Sequence, residues 1–221
     1  MDINVLGICG SPIKGGNTET FLREAMKDIE GMESVKTEMI SVVGKNISDC
    51  RHCNWCLRKQ EEGKFCAIQD DMVDIFPKVL NSDVLLLASP AYVCRVSGYL
   101  ATLMDRLRAC AFGNVYEGKL KDKVGGAFAV GWMRHGGIET TLLSINYLFF
   151  GFEMIPASVH HPGTIFGAGG TSSFGGTGNF DPKDKLGILK DEYGLNGARA
   201  LARRTVELAK IIKAGKQALE M

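Results

Sequence analysis

Apolar runs of strand length alternate with helix-period segments along the chain. Ile3 to Ile8 precedes Glu19 to Ile29, Val35 to Val42 precedes Met72 to Leu80, and Val84 to Ala88 precedes Gly98 to Ala111. Lys123 to Gly131 then precedes Ile138 to Phe150, and Phe152 to Val159 precedes Asn196 to Lys213. Five strand–helix units in this order predict an α/β fold, a parallel sheet covered by helices on both faces. The stretches NVLGI and VLLLAS are continuously apolar, as strands buried on both faces must be. Pro77 inside the second helical segment predicts a kinked or shortened helix.

Two segments break the alternation, and with them the chain reads as one domain over residues 1–221. Residues 48–69 carry CRHCNWCLRKQEEGKFC, four cysteines spaced C-x2-C-x2-C and then nine residues to the last. Residues 160–185 hold seven glycines between Gly163 and Gly178 and are too polar for a core of their own. They predict a loop, either a surface linker or a cover for a ligand or a neighbouring subunit. With 26 Lys and Arg against 25 Asp and Glu, no charge excess draws the chain to nucleic acid or an acidic membrane face. No stretch approaches 18 uninterrupted apolar residues and no basic leader precedes an apolar core, which predicts a cytoplasmic protein. In a reducing compartment the seven cysteines are metal ligands, redox groups or core filler before they are disulfides.

The first strand runs into GSPIKGGNTETF. Gly10 permits a tight turn, Ser11 offers a hydroxyl, Gly15 and Gly16 let the backbone approach a ligand, and Asn17 and Thr18 are residues that open helices. Unpaired N–H groups and the positive end of a helix dipole suit a phosphate, although a well-capped strand–helix loop would look the same. The stretch matches neither G-x-G-x-x-G nor the Walker pattern, and Lys14 is its only base, so hydroxyls and amides carry the binding. In an open parallel sheet the remainder of such a site lies at the ends of other strands. There the sequence gives Pro90, Ala91, Tyr92 and Val93, with Ser97 and Gly98 opening a helix, and GWMRHGG, with Gly131, Trp132 and His135. Backbone donors with aromatic neighbours at those ends suit a flat ring with a polar edge.

GICGSPIKGGNTE, the cysteine run followed by IQDDM, SDVLLLASPAY, VSGYLATLMDR and AFAVGWMRHGGIETTL resemble, in this order, the NADPH-dependent FMN reductase family of flavodoxin-like proteins, and within it the iron–sulfur flavoproteins. The resemblance spans residues 3–155. It implies a flavodoxin-like three-layer sandwich with a five-stranded parallel sheet of order 2-1-3-4-5, and a homodimer or homotetramer. It also implies FMN, its phosphate near Ser11, Lys14, Gly16, Asn17 and Thr18, and its ring near Pro90, Ala91, Tyr92, Val93, Gly131, Trp132 and His135. Cys50, Cys53, Cys56 and Cys66 stand where that branch ligates a [4Fe-4S] cluster, with a last spacer longer than the branch usually has.

Zinc, or no metal, remains an alternative for the four cysteines. Cys9 and Cys110 read as core, Cys94 as a thiol just after the ring loop, and His160 and His161 as surface or interface residues. Asp105 and Arg106 read as partners in structural ion pairs, and Arg51, Arg58 and Lys59 as solvation for the cysteine segment. The function so implied is an FMN oxidoreductase that passes electrons between a one-electron carrier such as ferredoxin, or a cluster, and a small two-electron acceptor. No catalytic side chain is required. An NAD(P)H-dependent FMN or quinone reductase with a structural, zinc or empty cysteine loop is the alternative, and a flavin-binding redox sensor is a second.

Overall fold

A computed structural model of the chain describes residues 1–160 and 164–220. In chain order the elements are β1 (Ile3–Cys9), α1 (Asn17–Glu30), β2 (Val35–Ser41), α2 (Trp55–Arg58), α3 (Met72–Asn81), β3 (Val84–Pro90), α4 (Gly98–Arg106) and α5 (Arg108–Ala111). There follow β4 (Val124–Gly131), α6 (Ile138–Gly151), β5 (Ile155–Pro156), β6 (Ala168–Thr171), single 3-10 turns at Phe174–Gly176 and Gly187–Lys190, and α7 (Glu192–Glu220). The strands are parallel and lie in the order β2-β1-β3-β4-β5, with β6 also paired to β4. This is the flavodoxin-like three-layer sandwich.

Every residue of β3 and β4 is buried, whereas the edge strand β2 alternates between half-buried and exposed positions. The sheet therefore has two cores. On one face Phe21, Leu22 and Ile29 of α1 and Ala198, Leu201 and Ala202 of α7 cover the strands. On the other, Ile75 and Phe76 of α3, Leu100 and Leu103 of α4, and Leu142, Ile145 and Phe149 of α6 do so. The C-terminal helix exceeds the expected Asn196–Lys213 because its apolar positions from Leu195 to Ala209 recur at helical spacing, and its exposed last turns continue from them. Pro77 lies within α3, which is a short helix of 10 residues.

The fifth strand departs from expectation. Instead of running from Phe152 to Val159 it is split into β5, beside Val124 and Gly125, and β6, beside Phe128 to Gly131. Pro156 lacks an N–H and ends the first piece. The glycine-rich segment, expected as loop throughout, supplies the second piece because its glycines let backbone pass close to packed side chains. A Cβ on Gly169 would come within 2.6 Å of Ile138, and one on Gly170 within 2.6 Å of Ile188.

One buried ion pair ties the cysteine segment to this frame. Arg106, at the end of α4, donates to both carboxylate oxygens of Asp70 (2.6 and 3.1 Å) and to the Ser48 carbonyl (2.7 Å), and both charged side chains are 1 % exposed. Asp70 also accepts from the N–H groups of Ser48 (2.9 Å) and Met72 (3.1 Å). Asp105, one position earlier on the helix, is exposed, and among the described residues Arg106 forms the expected structural pair while Asp105 does not. Burial opposes the Asp70 charge, but the Arg106 hydrogen bonds and the Ser48 and Met72 N–H groups outweigh it and hold the carboxyl below the usual carboxylate range.

A carboxyl lowered in the folded state contributes stability that is complete above its unfolded value near 3.9 and is lost as pH falls through the folded value. Asp70→Asn, which leaves the guanidinium buried without its countercharge, is expected to cost about 3–5 kcal/mol at pH 7 in urea unfolding. The gap to wild type should narrow below about pH 4. A gap independent of pH would show that the charge of Asp70 contributes nothing.

Candidate functional site

The chain leaves β1 for α1 on one face of the sheet and leaves β3 for α4 on the other, so a crevice opens between the two strand ends. It holds a cleft of about 1010 Å³, at the upper end of the roughly 300–1,000 Å³ usual for cofactor sites. Ser11 and residues 13–18 line one end, and Pro90, Ala91, Tyr92 and Val93 line the other with Val130 and Trp132. Gly131 and His135 do not line it: Gly131 packs against Ile138 and His135 is exposed beyond the strand end. A smaller hollow of about 370 Å³ lies at the opposite, amino-terminal end of β1 beside Lys36 and Lys78.

The residue preceding α1 is Gly16, not Asn17 or Thr18, and it makes no side-chain cap. The N–H groups of Asn17, Thr18 and Glu19 have no carbonyl one turn back within the helix and lie at the positive end of its dipole. A Cβ on Gly16 would meet Ile13 at 2.9 Å, so glycine keeps this turn tight. Gly15 sits in the left-handed region (φ 63°), and its N–H donates to Glu19 Oε2 (3.0 Å), close to a capping box. Ser11 Oγ accepts from the Ile13 N–H (3.2 Å), which leaves its own proton to offer. The side chain of Asn17, a residue expected near the phosphate, bonds the Lys185 carbonyl and the Ile188 N–H.

At the ring end the expected backbone donors are already in use. The Ala91 N–H donates to the Val130 carbonyl (2.8 Å), and Tyr92 and Arg95 exchange N–H···O bonds across a tight turn (2.9 and 3.2 Å). The tip residues Val93 (φ 51°) and Cys94 (φ 59°) are both left-handed, and among the described residues their N–H groups have no partner. Thr140 Oγ1 braces the turn by donating to the Cys94 carbonyl (2.6 Å). Ser97 caps α4, accepting from Leu100 N–H (3.1 Å), and donates to the Gly10 carbonyl (2.5 Å), which locks the two loops together.

Ser172, Phe180 and Lys185, from the glycine-rich segment expected as a linker or a cover, and Leu186 just after it also line the cleft, and none of them was singled out by the sequence. The N–H of Arg134 donates to the Gly176 carbonyl (2.9 Å) and Met133 bridges Thr177, so this segment is fastened to the exit of β4. The pairing could have been found only by knowing that β6 lies on β4. His160 is exposed, and His161 lies outside the described residues.

The cysteine segment is firmly built at two places. Its base is the Arg106–Asp70 pair. At its tip the buried Gln60 donates to the Phe65 and Ala109 carbonyls (both 2.9 Å) and accepts from the Val115 and Tyr116 N–H groups (3.0 and 3.4 Å). Phe65 stacks between Phe76 and Tyr116, at centroid distances of 5.1 and 4.6 Å. Cys56, on α2, is buried and Cys66 half-buried; Cys50 is half-buried and Cys53 exposed, on a stretch where His52 and Asn54 are left-handed.

The donor chemistry suits a metal cluster: four free thiols lie in one segment, and the buried Arg106 guanidinium lies beside Cys66. The geometry does not. Among the described residues no three His, Cys, Asp or Glu side chains converge to hold a metal ion, because the left-handed Asn54 sends Cys53 outward while the first turn of α2 takes Cys56 inward. Burial pushes the Cys56 thiol up against the opposing charge of Arg108, with Cys66 and Cys50 raising it further. Burial likewise raises Cys9 and Cys110, each to about 12, in keeping with their place in the core.

The family model described as NADPH-dependent FMN reductase matches residues 3–162. An iron–sulfur flavoprotein of Methanocaldococcus jannaschii is 40 % identical over 212 residues, covering 96 % of this chain and 100 % of that protein. An iron–sulfur flavoprotein of Archaeoglobus fulgidus is 35 % identical over 205 residues, 92 % of this chain and 96 % of that one. Among solved structures, RosB with bound 8-demethyl-8-formylriboflavin-5'-phosphate superposes with a TM-score of 0.69 at 15 % identity, over 99 % of this chain and 86 % of RosB.

A β-branched residue in the left-handed region is strained, and Val93 is 93 % exposed, so packing does not repay the strain. Val93→Asn, the residue such a turn prefers, is expected to stabilise the protein by about 1 kcal/mol. A thermal midpoint raised by about 2–4 °C would register this, and a lowered one would mean that the valine side chain has a packing role.

Proposed function

The chain belongs to the NADPH-dependent FMN reductase family, in its iron–sulfur flavoprotein branch, is a flavin-dependent oxidoreductase, and on that premise we propose that FMN occupies the cleft between the ends of β1, β3 and β4. The observation that carries this is the open end of α1 facing the same cleft as the Tyr92 turn, a phosphate cradle and a ring wall in one cavity. Bound there, FMN would supply chemistry that exchanges electrons singly or in pairs.

The residues of the chain bind and orient. Ser11 Oγ–H, Thr18 and the N–H groups of Asn17, Thr18 and Glu19 hold the phosphate, with Lys14 at the rim, while Gly16 keeps the backbone close. Pro90 and Tyr92 wall the ring, Trp132 stands at the exit of β4, and the Val93 and Cys94 N–H groups are the donors left for its polar edge. Among the described residues no side chain lining the cleft has the geometry of an acid–base pair, and the chain orients and electrostatically tunes the cofactor and leaves the electron transfer to it. Electrons enter from a one-electron carrier such as ferredoxin, or from NAD(P)H, and leave to a small-molecule acceptor.

A [4Fe-4S] cluster on Cys50, Cys53, Cys56 and Cys66 is a further part of the proposal, supported by the donor chemistry and by the names of the relatives. It requires residues 50–54 to move inward. The apolar Tyr147 and Phe150, 67 % and 63 % exposed on α6, support a homodimer or homotetramer.

Protein purified without oxygen is expected to retain FMN, seen in its visible spectrum, and to be bleached by a reduced carrier or by NADPH; protein that never retains FMN overturns the assignment. Iron and sulfide counted on the same sample, at about four irons per chain, are expected for the cluster. Zinc, or no metal, would overturn the cluster while leaving the flavin in place.

A further inference from the structure

The phosphate end of the cleft has a wall contributed from far along the chain. Asn17, the first residue of α1, donates from Nδ2 to the Lys185 carbonyl (3.1 Å) and accepts at Oδ1 from the Ile188 N–H (3.0 Å). Ile188 is fully buried in the core beneath α1. These bonds fasten the Lys185 backbone to the very turn whose N–H groups open the helix, and the exposed Lys185 lines the same cleft as Ser11, Lys14 and Thr18.

The local charges are unbalanced. Glu19, the carboxylate of the cradle, is already used: it accepts from Gly15 and is paired with Arg23 (2.7 Å). Asp184, next to Lys185, is paired with Lys190 (2.5 Å). Among the described residues neither Lys14 nor Lys185 has an ion-pair partner. Two exposed lysines without ion-pair partners and a helix N-terminus thus line one cleft, and a phosphate monoester brings about −1.5 to −2 charges at pH 7.

We propose that Lys185 is a cofactor-binding residue, the second cation for the phosphate of FMN, and that Asn17 is the positioning residue that latches it there, so that the two together select phosphorylated flavin over riboflavin. This rests on the FMN reading of the cleft. It gives the glycine-rich segment a role in the cleft of its own chain. A latch of this kind explains why Asn17 opens α1 without capping it, since its amide is occupied with the later segment.

The test is titration of flavin-stripped, full-length protein with FMN and with riboflavin, followed by quenching of flavin fluorescence, for wild type, Lys185→Gln, Lys185→Arg, Asn17→Ala and the Lys185→Gln/Asn17→Ala double variant. Lys185→Gln is expected to weaken FMN about tenfold and to flatten its salt dependence, with riboflavin unchanged and Lys185→Arg close to wild type. The double variant is expected to lose no more than the worse single one, since both act on one contact. Unchanged FMN affinity in Lys185→Gln, or an equal loss for riboflavin, overturns the role of Lys185, and additive losses overturn the latch. Wild type that binds neither flavin, or prefers riboflavin, would instead sink the FMN reading itself.

Discussion

Everything in this molecule depends on burying a parallel sheet on both faces. A strand sealed above and below by apolar side chains cannot turn back on itself beside its parallel neighbour, so each crosses over through a helix. The crossover from β1 lies on one face and that from β3 on the other, which parts the backbone between two adjacent strands. That parting is the cleft. Its walls inherit the rigidity of β3 and β4, where no residue reaches solvent.

Within the cleft, polar groups divide between fastening and binding. Ala91, Tyr92, Gly15 and Asn17 spend their hydrogen bonds on the protein itself, Ala91 across strand ends, Tyr92 across its own turn and the last two across the mouth of α1. The groups left over are the first N–H groups of α1, the Ser11 hydroxyl proton, the tip of the Tyr92 turn and two lysines. A preorganised site consists of this remainder, because donors held in place by their neighbours need not be ordered again when a ligand arrives. Ser97 is the point of contact between the halves, reaching from α4 to the Gly10 carbonyl.

The cysteine segment follows the same logic with a different result. The buried Arg106–Asp70 pair fixes its base, and Gln60, Phe65 and Tyr116 fix its tip, so Cys56 and Cys66 are held while Cys50 and Cys53 lie on the outer stretch. Removing a charge from a clamp of this kind is costly because the partner would remain buried and unpaired. The buried Arg106 guanidinium also lies beside Cys66.

The sequence alone determined the strands β1 to β4, the long helices and the sheet order by resemblance, since buried apolar runs and helical periodicity are local signals. It also pointed to the loop after β1 and to the Tyr92 turn, which line one cleft. It placed Gly131 and His135 at the cleft, where the structure does not, because adjacency in sequence to a strand end does not say which side of the exit a residue takes. It read the glycine-rich segment as loop, because glycine carries no periodicity, although Gly169 and Gly170 form a strand against β4. Only the tertiary structure brought Lys185 to Asn17, 168 residues away. It also decided that, among the described residues, no three of the thiols, close in sequence, converge to hold a metal. The contact that brings Lys185 to Asn17 is a long-range hydrogen bond, which no window along the chain contains.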